Sequence, residues 1–108
     1  MNYKNITVAG SGVLGYQIAF QTAFHGFQVT VYDINDEVLE KAKSKFTRMS
    51  AAFKRDLNAT QEQLDQAFIN LSYSSNLEDA VKDADLVIEA VPENPKVKII
   101  LLKLNPTW

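Results

Sequence analysis

Three glycines, at positions 10, 12 and 15, constrain this chain more than any other feature of its sequence. They lie in GSGVLG, which follows the short run NITVA, residues Asn5 to Ala9, and opens a stripe of apolar residues at helical spacing. The stripe comprises Val13, Leu14, Ile18, Ala19, Ala23 and Phe24, and Gly26 follows it in the left-handed-capable position that ends helices. A short β-branched run closed by a glycine reads as a buried parallel strand. A strand that turns into a helix within a few residues commits the chain to a crossover, because the next strand must return beside the first.

The segment FQVTVYD, residues 27 to 33, supplies that next strand, with Val29 and Val31 on one face. Asp36 to Asp56 forms a long amphipathic helix whose apolar positions Val38, Leu39, Ala42, Phe46, Met49 and Phe53 step by three and four. Thr60 and Gln63 form a capping box that opens a further helix, with Leu64, Ala67, Phe68 and Leu71 on one side. LSYSS reads as a third strand, Asn76 caps the short helix LEDAVKD, and DLVIEAV, residues 85 to 91, is the fourth and most hydrophobic strand. Pro92 and Pro95 then break the chain before a last helix in KIILLKLNPTW, residues 98 to 108. Alternation of this kind predicts an α/β domain with a doubly wound parallel sheet of the Rossmann type and a helical insertion after the second strand.

Composition removes several classes of function. Thirteen acidic against eleven basic residues give a formal charge of −2, so there is no electrostatic footprint for nucleic acid. The absence of cysteine excludes disulfides, thiolate metal sites and a cysteine nucleophile. Met1 leads at once into a strand-like run, and the apolar stretch Ile99 to Leu102 is far shorter than the roughly 20 residues of a membrane span. The expectation is a cytoplasmic domain with neither membrane nor nucleic acid as partner, and with no metal site.

GSGVLG matches G-x-G-x-x-G in the context that gives the pattern its meaning, directly after a strand and at the start of a helix. Gly10 permits the tight turn, Gly12 lets a pyrophosphate approach the backbone, and Gly15 lets the helix lie close to the strand. Gly10, Ser11, Gly12, Val13, Leu14 and Gly15 are therefore candidate cofactor-binding residues, with the free amides of the helix facing the phosphates. Asp33 ends the second strand eighteen residues after Gly15, where an acid accepts hydrogen bonds from the adenosine ribose. Its charge would repel a 2′-phosphate, and Ile34, Asn35 and Asp36 supply no arginine to neutralise one, so NAD is favoured over NADP.

The stretch ITVAGSGVLGYQIAFQTAFHGFQVTVYDIN resembles the opening of the 3-hydroxyacyl-CoA dehydrogenases, including the 3-hydroxybutyryl-CoA dehydrogenases, with Leu14 where that family commonly has methionine. DADLVIEAVPEN, residues 83 to 94, is the more particular match, and the resemblance covers residues 5 to 98. It implies that Ala90 and Glu93 line the nicotinamide end of NAD and that Lys98 reaches the site. It also implies basic residues in the helical insertion near the CoA phosphates, for which Arg48, Lys54 and Arg55 are the loosely aligned candidates; a solvated helix face is the alternative.

The family's reaction is hydride transfer from the 3-hydroxyl carbon of an acyl-CoA to NAD, with a histidine base oriented by a glutamate. His25, in the turn FHGF, falls at the amino-terminal end of the second strand, away from the edge where ligands bind. The resemblance places the catalytic histidine, its glutamate, and a substrate-binding serine and asparagine beyond residue 108, together with the helical dimerisation domain. Residues 1 to 108 are thus expected to be an incomplete NAD-binding domain that binds NAD without catalysing, with the fourth strand left as an exposed edge that promotes self-association. A free-standing NAD-sensing module, or a fragment of another NAD-dependent dehydrogenase, remains the alternative.

Overall fold

The middle of the sheet is β1 (Asn5–Ala9), whose three inner residues are all buried. It pairs in parallel with β2 (Gln28–Tyr32) on one side and with β4 (Leu86–Ala90) on the other. β3 (Leu71–Ser74) lies beyond β2, and β5 (Val97–Leu101) beyond β4, giving the order β3-β2-β1-β4-β5. This computed structural model describes residues 4–10, 12–90 and 97–101.

Alternation along the strands divides the sheet into two unlike faces. Ile6 and Val8 stand in register with Val29 and Val31, and these with Leu71 and Tyr73. That face is covered by α1 (Val13–Phe24), α2 (Asp36–Asp56) and α3 (Gln61–Asn70), and it forms one continuous apolar core. Phe46 is fully buried and touches the rings of Tyr16, Phe20 and Tyr73 at 6.0–6.3 Å between centroids. Phe53 meets Phe20 and Phe24 edge to face, both at 5.1 Å. Aromatic pairs at such angles add to the free energy of burial. Burial, and secondarily the charge of Glu40, pushes the Tyr73 hydroxyl up to about 12.

The other face carries Thr7, Thr30 and Ser72 and is met by α4 (Leu77–Val81), where the Thr7 hydroxyl donates to the Ala80 carbonyl. Handedness explains the division. The chain steps from β1 to β2 to β3 in one direction, so right-handed crossovers stack their helices on one side. The return from β3 to β4 reverses direction and puts α4 on the opposite side.

Local chemistry fixes the ends of these elements. The Asn35 side chain accepts from the Val38 amide at 2.9 Å, Thr60 and Gln63 form the reciprocal capping box, and Asn76 accepts from the Asp79 amide at 3.0 Å. The Asp85 carboxylate takes the amides of Lys4 and Asn5 at 2.9 and 3.0 Å, aligning the start of β4 with that of β1. Buried Asn70 accepts from Gln28 and Gln66 and donates to the Ala23 carbonyl, tying the end of α3 to the end of α1.

One expectation fails. Val97 to Leu101 is not the start of a helix but a strand antiparallel to β4, with Ala90 opposite Val97 and Leu86 opposite Leu101. The sheet is therefore mixed, and β4 is paired on both sides rather than left as an edge; among the described residues the edge passes to β5. Two forces favour the strand. Val97, Ile99 and Ile100 are β-branched, which suits an extended backbone, and the outer side of β4 offers a row of amides and carbonyls to satisfy. Residues 102 to 108 lie outside the described residues.

Because Phe46 joins α1, α2 and β3 in one aromatic cluster, Phe46→Ala is expected to lower stability by about 3–5 kcal/mol, measured by urea denaturation.

Candidate functional site at the carboxyl edge of the sheet

The carboxyl ends of β1 and β4 meet where the strand order changes direction, the position at which open α/β sheets bind ligands. The glycine loop is held there by its neighbours on both sides. The Gly10 amide donates to the Tyr32 carbonyl of β2 at 2.9 Å. Gly10 has φ +95°, and a Cβ added to it would come within 2.8 Å of the Ala90 carbonyl oxygen on β4. A Cβ on Gly15 would lie 1.9 Å from the Gly10 oxygen and 3.6 Å from the Ala90 side chain. No side chain of any size fits between α1 and the loop, so α1 starts in contact with the strand ends.

Gly12 is the N-cap of α1 and supplies no capping side chain, and there is no acidic residue in the helix's first turn. The first intrahelical bond of this turn is from the Tyr16 amide to the Gly12 carbonyl at 2.9 Å, which leaves the preceding amides without intrahelical partners. α2, α3 and α4 differ: each has a side-chain cap and acidic residues in its first turn. The amino end of α1 therefore keeps its donors and its partial positive charge for an anion.

Asp33 follows β2 directly, half-buried, with its own carboxylate accepting from the Ile34 amide at 2.7 Å. Because Tyr32 is bonded to Gly10, Asp33 stands at the rim of the glycine loop. Ala90 is buried, with its carbonyl against Gly10 and its side chain near Gly15. Val13 is exposed and Leu14 half-buried at the start of α1. Lys98 stands opposite Glu89 across the β4–β5 pair. Ser11 and Glu93 lie outside the described residues. His25 is exposed at the end of α1, at the opposite end of the strands.

Sequence reasoning missed a pocket of about 400 Å³ on the α4 side of the sheet, lined in part by Tyr32, the residue before Asp33. It is lined by Ala9, Tyr32, Leu77, Val81, Val87, Glu89 and Ile100, and so is apolar apart from one carboxylate and one phenol. One signal was available in the sequence: a glutamate inside the otherwise apolar strand LVIEA. The rest depends on which strand faces α4, which no local pattern specifies. A more polar cavity of about 180 Å³ opens near the other end of the strands, where Asp79 and Asp83 lie. Among the described residues, no group of histidines and acids is placed to hold a metal ion.

A family profile described as the NAD-binding domain of 3-hydroxyacyl-CoA dehydrogenase matches residues 5–104. The chain belongs to this family. It is 38% identical over 100 residues to a probable 3-hydroxyacyl-CoA dehydrogenase of Caenorhabditis elegans, a match covering 88% of this chain and 32% of that protein. A diketoreductase structure, described for the dual catalysis of dicarbonyl compounds, shares 50% identity and a TM-score of 0.81 over 87% of this chain and 34% of its own. The 3-hydroxybutyryl-CoA dehydrogenase of Escherichia coli K12 superposes with a TM-score of 0.79 at 33% identity, over 87% of this chain and 20% of that one. The chain thus spans about a third or less of the length of each of these proteins.

Among the basic residues of the insertion that the 3-hydroxyacyl-CoA dehydrogenase resemblance singled out, two are engaged locally. Lys54 reaches Gln61 at 3.3 Å, and Arg55 makes two hydrogen bonds to Asp56 at 2.9 and 3.1 Å. The pair is fully exposed; hydrogen bonding raises the Arg55 guanidinium and lowers the Asp56 carboxyl. Arg48 is exposed as well. These contacts suit a solvated helix face.

Gly15→Ala is expected to abolish NADH binding and destabilise the fold, because backbone must move to admit the methyl group. Gly26→Ala, whose added Cβ meets nothing within 4 Å, is expected to cost only about 1–2 kcal/mol of left-handed strain and to leave binding intact. Thermal melts and NADH titration of the two variants check this.

Proposed function

We propose that this chain binds NAD along the carboxyl edge of its sheet, as the cofactor-holding part of a dehydrogenase that oxidises the 3-hydroxyl of an acyl-CoA. The observation that carries the reading is the amino end of α1, uncapped and free of acids, behind a loop in which neither Gly10 nor Gly15 has room for a side chain. That cradle fits a diphosphate, with Gly12 admitting it to the backbone and the Val13, Leu14 and Gly15 amides donating; Ser11 belongs to the same loop. The Asp33 carboxylate accepts from the adenosine ribose hydroxyls and repels a 2′-phosphate. The adenine ring takes the neighbouring apolar pocket. Ala90, Glu93 and Lys98 are assigned to the nicotinamide end.

When bound, NAD supplies the ring carbon that accepts the hydride. This chain's residues hold and orient the cofactor, and none of them is assigned as the base that takes the hydroxyl proton. His25 is excluded from that role by its place at the far end of the sheet. In this reading residues 1 to 108 form an incomplete NAD-binding domain, and the base comes from the family's carboxyl-terminal part, with its helical dimerisation domain. The chain by itself binds NAD without catalysing. A second reading of the substrate rests on the 50% identity to diketoreductase, and takes a dicarbonyl compound in place of the acyl-CoA.

Self-association belongs to the same proposal. β5 is an edge strand bearing exposed Ile99 and half-exposed Ile100, a template for pairing with a second copy. Light scattering is expected to show a mass that rises with concentration; a constant monomer mass would remove this part. No helix among the described residues is long and apolar enough to cross a membrane.

Calorimetric titration with NADH tests the cofactor site. Asp33→Ala is expected to weaken binding by on the order of 1–3 kcal/mol, the worth of one or two hydrogen bonds to a charged acceptor. Unchanged affinity would take Asp33 out of the site.

A further inference from the structure

Two isoleucines of β5 are left to solvent, Ile99 at 60% exposure and Ile100 at 36%. Pairing with β4 puts them on opposite faces of the sheet. Ile100 stands opposite Val87 and lines the apolar pocket, whereas Ile99 stands opposite Ile88, on the face of the helix-rich core. Among the described residues no strand lies beyond β5. Alternate residues of an antiparallel strand turn their N–H and C=O groups away from its partner, and a further extended strand satisfies them.

We infer that β5 pairs antiparallel with β5 of a second copy about a two-fold axis at Ile99, joining two five-stranded sheets into one. The inference deepens the self-association proposed above and rests on it. Opposed residues of an antiparallel pair share a face, so the axis must pass beside a residue and not between two. An axis at Ile99 pairs the whole of Val97–Leu101, whereas one at Lys98 or Ile100 pairs only residues 97–99 or 99–101 of the strand. The axis at Lys98 also sets two lysines against each other, which their like charge disfavours. At Ile99 the more exposed isoleucine meets its own counterpart, and each Lys98 falls opposite an Ile100. A contact between identical patches closes on itself, so it stops at two copies. Because the two β5 strands run in opposite directions, the carboxyl edges of the two sheets point to opposite ends, and both glycine loops stay open.

The chain has no cysteine, so a single substitution supplies its only thiol. Oxidised Ile99→Cys is expected to run as a disulfide-linked dimer, because opposed residues of an antiparallel pair lie within the Cα separation that a disulfide spans, about 4.4–6.8 Å. Ile100→Cys is expected to stay unlinked, since its two copies are offset by two positions along the strands, about 7 Å before the gap between strands is added. Ile99→Lys and Ile99→Asp each set like charges face to face, and light scattering is expected to show the dimer dissociation constant raised about tenfold in each. An equimolar mixture of the two is expected to restore association. Neither variant alters the pocket lining, and Ile99 is exposed, so NADH affinity and melting temperature are expected to hold. A disulfide from Ile100→Cys, or none from Ile99→Cys, overturns the inference, as do charge variants that associate like the wild-type chain. In each of those cases a wild-type mass that rises with concentration leaves self-association itself standing. A constant monomer mass removes both.

Discussion

The contact between Gly15 and the Gly10 carbonyl is the constraint on which the rest of the structure depends. It brings the first turn of α1 against the end of β1 with no room for a methyl group, and Gly10 in turn lies against the Ala90 carbonyl of β4. Three elements are thereby fixed at one point: the start of α1 and the ends of the two strands that flank the change in sheet order. The same contact leaves the α1 amides facing outward without a cap. Packing and ligand chemistry are not separate features here, since the close approach that excludes side chains is what exposes the backbone to an anion.

From that point the two faces of the sheet diverge. The helix-rich face is closed by large aromatics, and its interior polar group, Asn70, accepts two hydrogen bonds and donates one within the chain. The α4 face is covered by a single short helix, with Thr7, Thr30 and Ser72 along it and a pocket at its carboxyl end. Strand direction accounts for this: three crossover helices stack on one side, and only the return from β3 to β4 serves the other. The thinly covered face is the one that keeps an apolar pocket beside Tyr32, into which the adenine ring is proposed to fit.

The sequence specified its elements well where the determinants are local. Asn5–Ala9 and Asp36–Asp56 match the expected strand and helix end to end, because the first is closed by Gly10 and the second opened by the Asn35 cap. The capping box at Thr60 and the cap at Asn76 form as their spacing predicts. The helix expected from Lys98 onward gives way to the strand Val97–Leu101, because four apolar residues around one lysine have no period that separates helix from strand. What decided it was the bare outer side of β4, a partner defined only once the sheet exists.

The same division holds for the site. Residue type and spacing along the chain determined the glycine loop, the acid after the second strand, and the family itself, because each of these depends on backbone freedom or charge at one position. Tertiary structure decided what those positions meet. Ala90 became the wall behind two glycines, Glu89 and Tyr32 came together from separate strands, and Leu77 and Val81 approached them from a helix on the far face. Such contacts arise from strand order and crossover handedness, which act between segments tens of residues apart and leave no pattern within any one of them.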